Sequence, residues 1–490
     1  MTQMTQNHDA HIGINRALAS KSRLIPIGKL KPFHRLSRRH PKEQIAVLKG
    51  SLEAFGFINP LIVDDENHIL AGHGRWEAAK QLGLREVPVV EVDHLTPDEK
   101  RAYVIADNRI AEKSGFDPAI LAVELEYLSS IDLDFDVSVT GFSIAEIDLV
   151  IGEAADAASL ADQADLVDEA PPGPAVTRPG DVWNLGPHRL VCGDALSAAS
   201  HEAALQGRKA RLALTDPPYN VPIDGFVSGG GRHRDFAMAV GEMSTDQFTG
   251  FLATALTRMR SGVVDGGLIY SFMDWRHVLE LEIAARRADL TTLNVCVWDK
   301  GTGGMGSFYR SQHELCFVYK VGTAPHLNTV ELGRHGRTRT NVWKHPGLST
   351  FGRGRDEALA SHPTSKPVAL LAEAIKDCTR RRDLVLDPFA GSGSTLIAAE
   401  KAGRIAACIE LDPLYVDTIV RRWEKLTGET AVQADTGEDF STAAVTRRDA
   451  ATADGTSAGR SVLAPTLEAR PTPVRHRVRA AAIPQEAAND

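Results

Sequence analysis

The chain has 490 residues, 43% of them apolar and 24% charged, with a formal net charge of -9. That length calls for two or three domains, and the negative balance excludes a chain that is basic throughout, so any nucleic-acid contact must come from local patches. The N-terminus lacks the apolar core of a signal peptide, and no stretch approaches the ~20 apolar residues of a membrane span. The five scattered cysteines form no CxxC pair, so the expectation is a reducing, cytoplasmic setting with neither a disulfide framework nor a metal site.

Residues 1–20 are polar and expected to be disordered. The next stretch, 21–112, reads as a small α+β domain. Strands are expected at 24–27, 60–64, 69–71 and 87–92, and a helix over 41–55 with Ile45, Leu48 and Leu52 at helical spacing. Gly72-His73-Gly74-Arg75 is the expected turn into a helix over 76–82. Glycines between strand and helix let backbone approach a ligand, a helix N-terminus attracts phosphate, and Arg75 can pair with it. The alternative is a tight connection with a surface arginine. Thr96-Pro97-Asp98-Glu99 carries an N-cap, a first-position proline and a capping box. Residues 113–152 read as a helical extension, with Ile120, Leu121, Leu125 and Leu128 on one face and Ser143 as a cap. The Ala- and Asp-rich run 153–178, closing on Pro171-Pro172-Gly173-Pro174, is a linker by composition.

A second domain is expected over 179–435. A hairpin turns at Gly186-Pro187, and Gly193-Asp194 follows its second strand. Leu212, Ala213 and Leu214 form a buried strand that stops at Asp216-Pro217-Pro218-Tyr219, then Asn220. The alternation of strands and helices that follows indicates an α/β, Rossmann-like doubly wound sheet, in which ligands bind outside the carboxyl ends of the strands. Two stretches break the alternation, about 221–243 and 322–360. The second is irregular and basic, with Arg334, Arg337, Arg339 and Lys344 as candidates to hold phosphates or base edges. Asp387-Pro388-Phe389-Ala390-Gly391-Ser392-Gly393-Ser394-Thr395 lies between a strand and a helix, where Gly-x-Gly admits a cofactor. No Gly-Lys-Ser/Thr follows, so it is not a Walker loop. Glu410 ends the next strand, placed as an acid that bonds a ribose. Residues 436–490 lack periodicity and are expected to be a disordered tail.

Two resemblances follow from these residues. Ile58 to Val63, Ala71 to Ala79 and Ala106-Asp107-Asn108-Arg109 resemble the ParB N-terminal (ParB/sulfiredoxin-like) domain, which implies a nucleoside triphosphate as a candidate ligand at Gly72, His73, Gly74 and Arg75. Here His73 and Gly74 replace the middle of the family's box and its second arginine is missing. Asp216 to Tyr219, followed about 170 residues later by Phe389 to Gly393 and preceded by Gly193-Asp194, resembles the β-ordered amino-methylating DNA methyltransferases. His362 to Pro367, and Trp298-Asp299-Lys300 with His313-Glu314, match further family segments.

That resemblance implies S-adenosyl-L-methionine as cofactor, double-stranded DNA as partner and a site-specific methyl transfer to a flipped base. The Asp-Pro-Pro-Tyr form points to adenine N6. A cytosine-N4 or RNA methyltransferase, and a ParB-like nucleotide-switched DNA-binding protein, are the rivals; a homodimer is compatible. Asp216, Pro217, Pro218 and Tyr219 would be catalytic. The Asp216 carboxylate and Pro217 carbonyl would accept from the amino group, and Tyr219 would stack on the base. Asp194, Lys366, Asp387, Phe389, Gly391, Gly393, Ser394, Thr395 and Glu410 would hold the cofactor. The chemistry needs positioning and electrostatics, with no metal and no covalent enzyme intermediate.

Overall fold

A computed structural model describes residues 22–33, 40–112, 115–158, 164–165, 167, 174–220, 241–303, 308–332, 339–346 and 366–447. It falls into two compact units, residues 1–440 and 441–490; the second contributes helical residues as far as 447.

The first unit opens with a five-stranded sheet: β1 (Ser22–Pro26), β2 (Lys31–Pro32), β3 (Leu61–Val63), β4 (His68–Ala71) and β5 (Glu86–Glu91), in the order β1-β5-β3-β4-β2. Leu61, Val63, Ile69, Val87 and Val89 are fully buried and pack with Ala79 and Leu52 from helices on the sheet. The helix expected from Trp76 begins earlier, at His73, and runs to Gln81. Gly72 makes this possible by taking φ 95°, so His73, Gly74 and Arg75 form the first helical turn rather than a loop. The capping box before helix Pro97–Glu112 is present: the Glu99 amide donates to Thr96 Oγ1 (3.3 Å) and the Thr96 amide to Glu99 Oε2 (2.8 Å).

Helices Pro118–Ser130 and Ile144–Ala158 pack through Leu125, Ile147 and Ile151. Ile120 departs from the expected buried face and is 63% exposed, because the helix turns Ala122 and Leu125 inward instead. The second of these helices continues to Ala158, into the stretch expected as linker. That stretch is also fastened at its far end. The Val176 and Thr177 amides donate to the two oxygens of Asp417 (2.8 and 2.9 Å), which is buried in helix Pro413–Thr427. The helical pair is joined to the larger sheet's domain by Arg404, whose two Nη atoms each donate to Asp148 at 2.7 Å.

The larger sheet has ten strands: β6 (Val182–Leu185), β7 (His188–Cys192), β8 (Ala210–Thr215), β9 (Val263–Met273), β10 (Leu290–Asp299), β11 (His313–Val321), β12 (Val342–Lys344), β13 (Leu384–Asp387), β14 (Ile405–Glu410) and β15 (Val432–Gln433). Their order is β12-β10-β11-β9-β8-β13-β14-β7-β6-β15. The middle five, β9-β8-β13-β14-β7, are parallel, and antiparallel pairs flank them on both sides. Helix Thr245–Gly262 places Phe248, Leu252, Leu256 and Met259 on one stripe against Ala213, Ile269 and Leu386. Each such buried side chain contributes about 1.5–3 kcal/mol.

From β8 the chain winds outward to β9, whereas β13 leads the other way, to β14. The β8/β13 boundary is therefore a switch point, and a crevice opens at its carboxyl end. The stretch expected to be irregular over 322–360 contains β12, which pairs in parallel with β10; three residues are too few to show a period. Described structure also passes the expected end at 435. Val432 bridges Asp439, and the Phe440 ring meets buried Trp183 edge-on at 5.2 Å, an apolar anchor that holds this segment.

Candidate active site

The carboxyl ends of β8, β13, β14 and β7 open into one cleft of about 1100 Å³ including its solvent mouth. Asp216, Pro217, Pro218 and Tyr219 line it from the end of β8. Asp194, Asp387, Phe389, Gly391, Ser394, Thr395 and Glu410 line it from the neighbouring strand ends. Strand order makes the juxtaposition: Leu212 and Ala213 pair with Val385 and Leu386, so Thr215 Oγ1 donates to Asp387 Oδ1 at 2.9 Å across 172 residues of chain.

On the β13/β14 side, the Gly391 amide donates to Glu410 Oε2 (2.7 Å) and the Asp412 amide to Oε1 (2.9 Å). This ties the glycine loop to the next strand. Burial pushes Asp387 up to about 6, against hydrogen bonds from Thr395, Phe389 and Thr215. Burial likewise pushes Glu410 up to about 7. Asp194 Oδ1 accepts from the Leu196 amide at 2.8 Å. Ser394 Oγ is engaged by Arg422 Nη1 (3.3 Å).

Gly393 departs from the expected role. It does not line the cleft; it takes φ 83°, and a Cβ there would lie 2.8 Å from Ile419 Cγ1, so it serves helix packing.

On the β8 side, Tyr219 Oη donates to Asp216 Oδ1 (2.5 Å) and Lys366 Nζ donates to Oδ2 (2.5 Å). Lys366, expected to hold the cofactor, lines the same cleft; its ammonium is held by Asp216 and also pairs with Glu314 Oε2 at 3.0 Å. Lys300 Nζ donates to Glu314 Oε1 (2.5 Å). Burial raises the Asp216 carboxyl, with Lys366 opposing and Glu314 adding. Burial acts upward on Glu314 as well, but Lys366 and Lys300 override it and hold that carboxyl low, to about 2.

Asn220 is a turn former. It takes φ 55°, donates to the Met243 carbonyl (2.8 Å) and accepts from the Gly241 and Met243 amides (3.1 and 3.2 Å), which joins the two ends of the 221–240 stretch.

Sequence reasoning missed Phe272, Tyr415 and Asp412 in the cleft wall and Glu314 beside Asp216. For Glu314 there was a signal: an acid opening an apolar strand needs a buried partner.

Of the expected DNA contacts, Arg334 and Arg337 lie outside the described residues, as do His362 to Ser365 and most of 221–243. Arg339 is not a free cation. It donates to Asp377 (2.7 and 3.0 Å) and to Glu373, pinning its segment to helix Val368–Lys376. Lys344 is exposed on β12.

In the N-terminal domain, Gly72, His73, Gly74 and Arg75 border a hollow with His40, Asp107 and Asn108. Burial and His40 lower His73 to about 4, so it is neutral at pH 7, and it accepts from the Phe33 amide (3.3 Å). Arg75 Nη2 donates to the Pro60 carbonyl (3.4 Å). A Cβ on Gly74 would meet Leu48 at 2.8 Å, so that glycine serves helix packing.

A family model for DNA methylases of the N6/N4 type matches residues 210–421, a ParB N-terminal domain matches 15–108, and a ParB-methyltransferase HTH domain matches 119–179. The ParB-like nuclease domain-containing protein YnaK of Escherichia coli is 40% identical over 76 residues, 16% of this chain and 87% of that protein. The type II methyltransferase M2.MboI of Moraxella bovis is 22% identical over 244 residues, 48% of this chain and 87% of that protein. Among solved structures, the M1.HpyAVI–SAM complex aligns over 48% of this chain and 97% of its own, with 20% identity and a TM-score of 0.36. The chain carries an N6/N4-type DNA methylase domain over residues 210–421, with ParB-type domains ahead of it.

Proposed function

We propose that the chain transfers the methyl group of S-adenosylmethionine to the exocyclic amino group of a flipped base in double-stranded DNA, the base being adenine and the atom N6. The observation that carries the reading is the single cleft in which Asp216 faces the acid- and glycine-lined end of β13 and β14. The donor set fits the cofactor. Three carboxylates, Asp194, Asp387 and Glu410, suit ribose hydroxyls, an ammonium group and a sulfonium charge, and Phe389 and Tyr415 supply apolar wall.

When bound, S-adenosylmethionine supplies an electrophilic methyl group. The protein's part lies with the base. An exocyclic amino group is a weak nucleophile because its lone pair is delocalised into the ring. Asp216 and the Pro217 carbonyl accept hydrogen bonds from its two N–H groups, which frees that lone pair; the nitrogen releases one of the two protons once it is methylated, and the rigid Pro217-Pro218 turn fixes both acceptors. The leading aspartate, rather than serine, supports adenine over cytosine.

Incubation of the full chain with the cofactor and either DNA or RNA, followed by nucleoside mass spectrometry, tests the reading. N6-methyladenine in DNA is expected, and Asp216→Ala lowers its rate at least about 10²–10³-fold. N4-methylcytosine, product in RNA alone, or an active Asp216→Ala variant would overturn it.

A further inference from the structure

Both oxygens of Asp216 are engaged: Lys366 Nζ holds Oδ2 and the Tyr219 hydroxyl holds Oδ1, each at 2.5 Å. The lysine is 4% exposed, with its ammonium over the rings of Phe272 (5.1 Å) and Tyr219 (5.5 Å). A cation so enclosed is retained only with its anions beside it. It has two, Asp216 and Glu314, at 2.5 and 3.0 Å. Glu314 Oε2 also lies 3.3 Å from the Tyr219 hydroxyl, so that hydroxyl has a second acceptor already in place. Lys300 closes the far side of Glu314. These groups come from the ends of β8, β10 and β11 and from the segment entering helix Val368–Lys376, so the cluster is assembled by the fold rather than by one loop.

Resting on the proposed methyl transfer, we propose that Lys366 and Glu314 are opposed positioning residues that set the charge and orientation of Asp216, and that the Tyr219 hydroxyl passes from Asp216 to Glu314 as the target amino group takes Oδ1. Lys366 stays on Oδ2, which turns Oδ1 towards the base. The ammonium favours the ionised, accepting form of Asp216 and the Glu314 carboxylate disfavours it. Among the described residues, Asp387 at the end of β13 and Cys316 on β11 also interact electrostatically with Asp216, and Asp274 with Tyr219. None of these three makes the direct contact that Lys366 makes.

The test is the single-turnover methylation rate of the full chain on DNA, with saturating S-adenosylmethionine, as a function of pH. The rate needs ionised Asp216 and so falls on an acidic limb. In Lys366→Met that limb moves to higher pH by about one unit, because the favourable charge is gone. In Glu314→Gln it moves to lower pH, because the unfavourable charge is gone. Lys366→Arg restores the wild-type limb. A lysine that merely braced the fold would lower the rate by the same factor at every pH. Limbs that stay put, or that move in the same direction in the two variants, would overturn the pairing. Should Lys366→Met not fold, the opposite-sign shift in Glu314→Gln and the restored limb in Lys366→Arg decide the matter. A wild-type chain that methylates nothing at any pH overturns the proposed reaction, whereas an active one with an unmoved limb overturns this pairing alone.

Discussion

Asp387 and Glu410 hold their protons to unusually high pH for carboxyls, to about 6 and about 7, because burial outweighs the hydrogen bonds each accepts. From the ordinary carboxyl range up to about 6 for Asp387 and about 7 for Glu410, the folded chain keeps a proton that the unfolded chain has released, so each group makes the ligand-free protein less stable as pH rises through its own window. A ligand that donates hydrogen bonds to Glu410 favours its ionised form, so binding releases a proton and tightens as pH rises. Affinity for S-adenosylmethionine is expected to increase up to about tenfold per pH unit for each such group until the group is ionised, then level off. Calorimetric titration in buffers of different ionisation enthalpy measures the released proton. Glu410→Gln is expected to weaken binding and flatten the upper part of the profile; an unchanged proton release in that variant refutes the assignment.

The segment ahead of helix Val368–Lys376 shows how an element decides what a charged residue does. Arg339, Arg334, Arg337 and Lys344 look alike as a basic run. Fold position separates two of them. Arg339 is drawn to Asp377 and Glu373 on the helix and lies over Trp343, while Lys344 stays exposed on the edge strand β12. Arg339→Ala removes the guanidinium that Asp377 and Glu373 share and is expected to cost about 3 kcal/mol in denaturant unfolding. It should leave the salt dependence of DNA binding unchanged. Lys344→Ala, by contrast, is expected to keep stability and reduce the slope of log K against log salt by about 1. A reduced slope in Arg339→Ala would return that residue to the DNA interface.

At the scale of the whole chain, the helical pair 118–158 is fastened to the methylase domain by the Arg404–Asp148 fork, which also involves Thr379 Oγ1 (3.0 Å) and the Thr379 carbonyl (2.7 Å). Arg404 is 1% exposed. Asp148→Ala strands that guanidinium and is expected to cost about 3–5 kcal/mol, with the double variant Arg404→Met/Asp148→Leu recovering most of the loss. Denaturant unfolding of the single and double variants checks this. Equal losses in both would mean that packing, and not the stranded charge, holds the junction.

The elements that frame the cleft were legible because their causes are local. Apolar runs mark β8, β13 and β14, the Pro217-Pro218 pair stops β8, and Gly391 and Glu410 sit at strand ends where a loop must turn. Motif order along the chain was enough to expect a DNA methylase and a ParB-type domain. Other assignments depended on which strand ends become neighbours. Lys366 reaches Asp216 across 150 residues, Arg404 reaches Asp148 across 256, and Gly393 is needed because Ile419 packs on it. A buried charge takes the nearest opposite charge that the packed core offers, and chain distance does not enter that choice. The residue types at the site were therefore written locally, while their partners were chosen by the order of strands in the sheet.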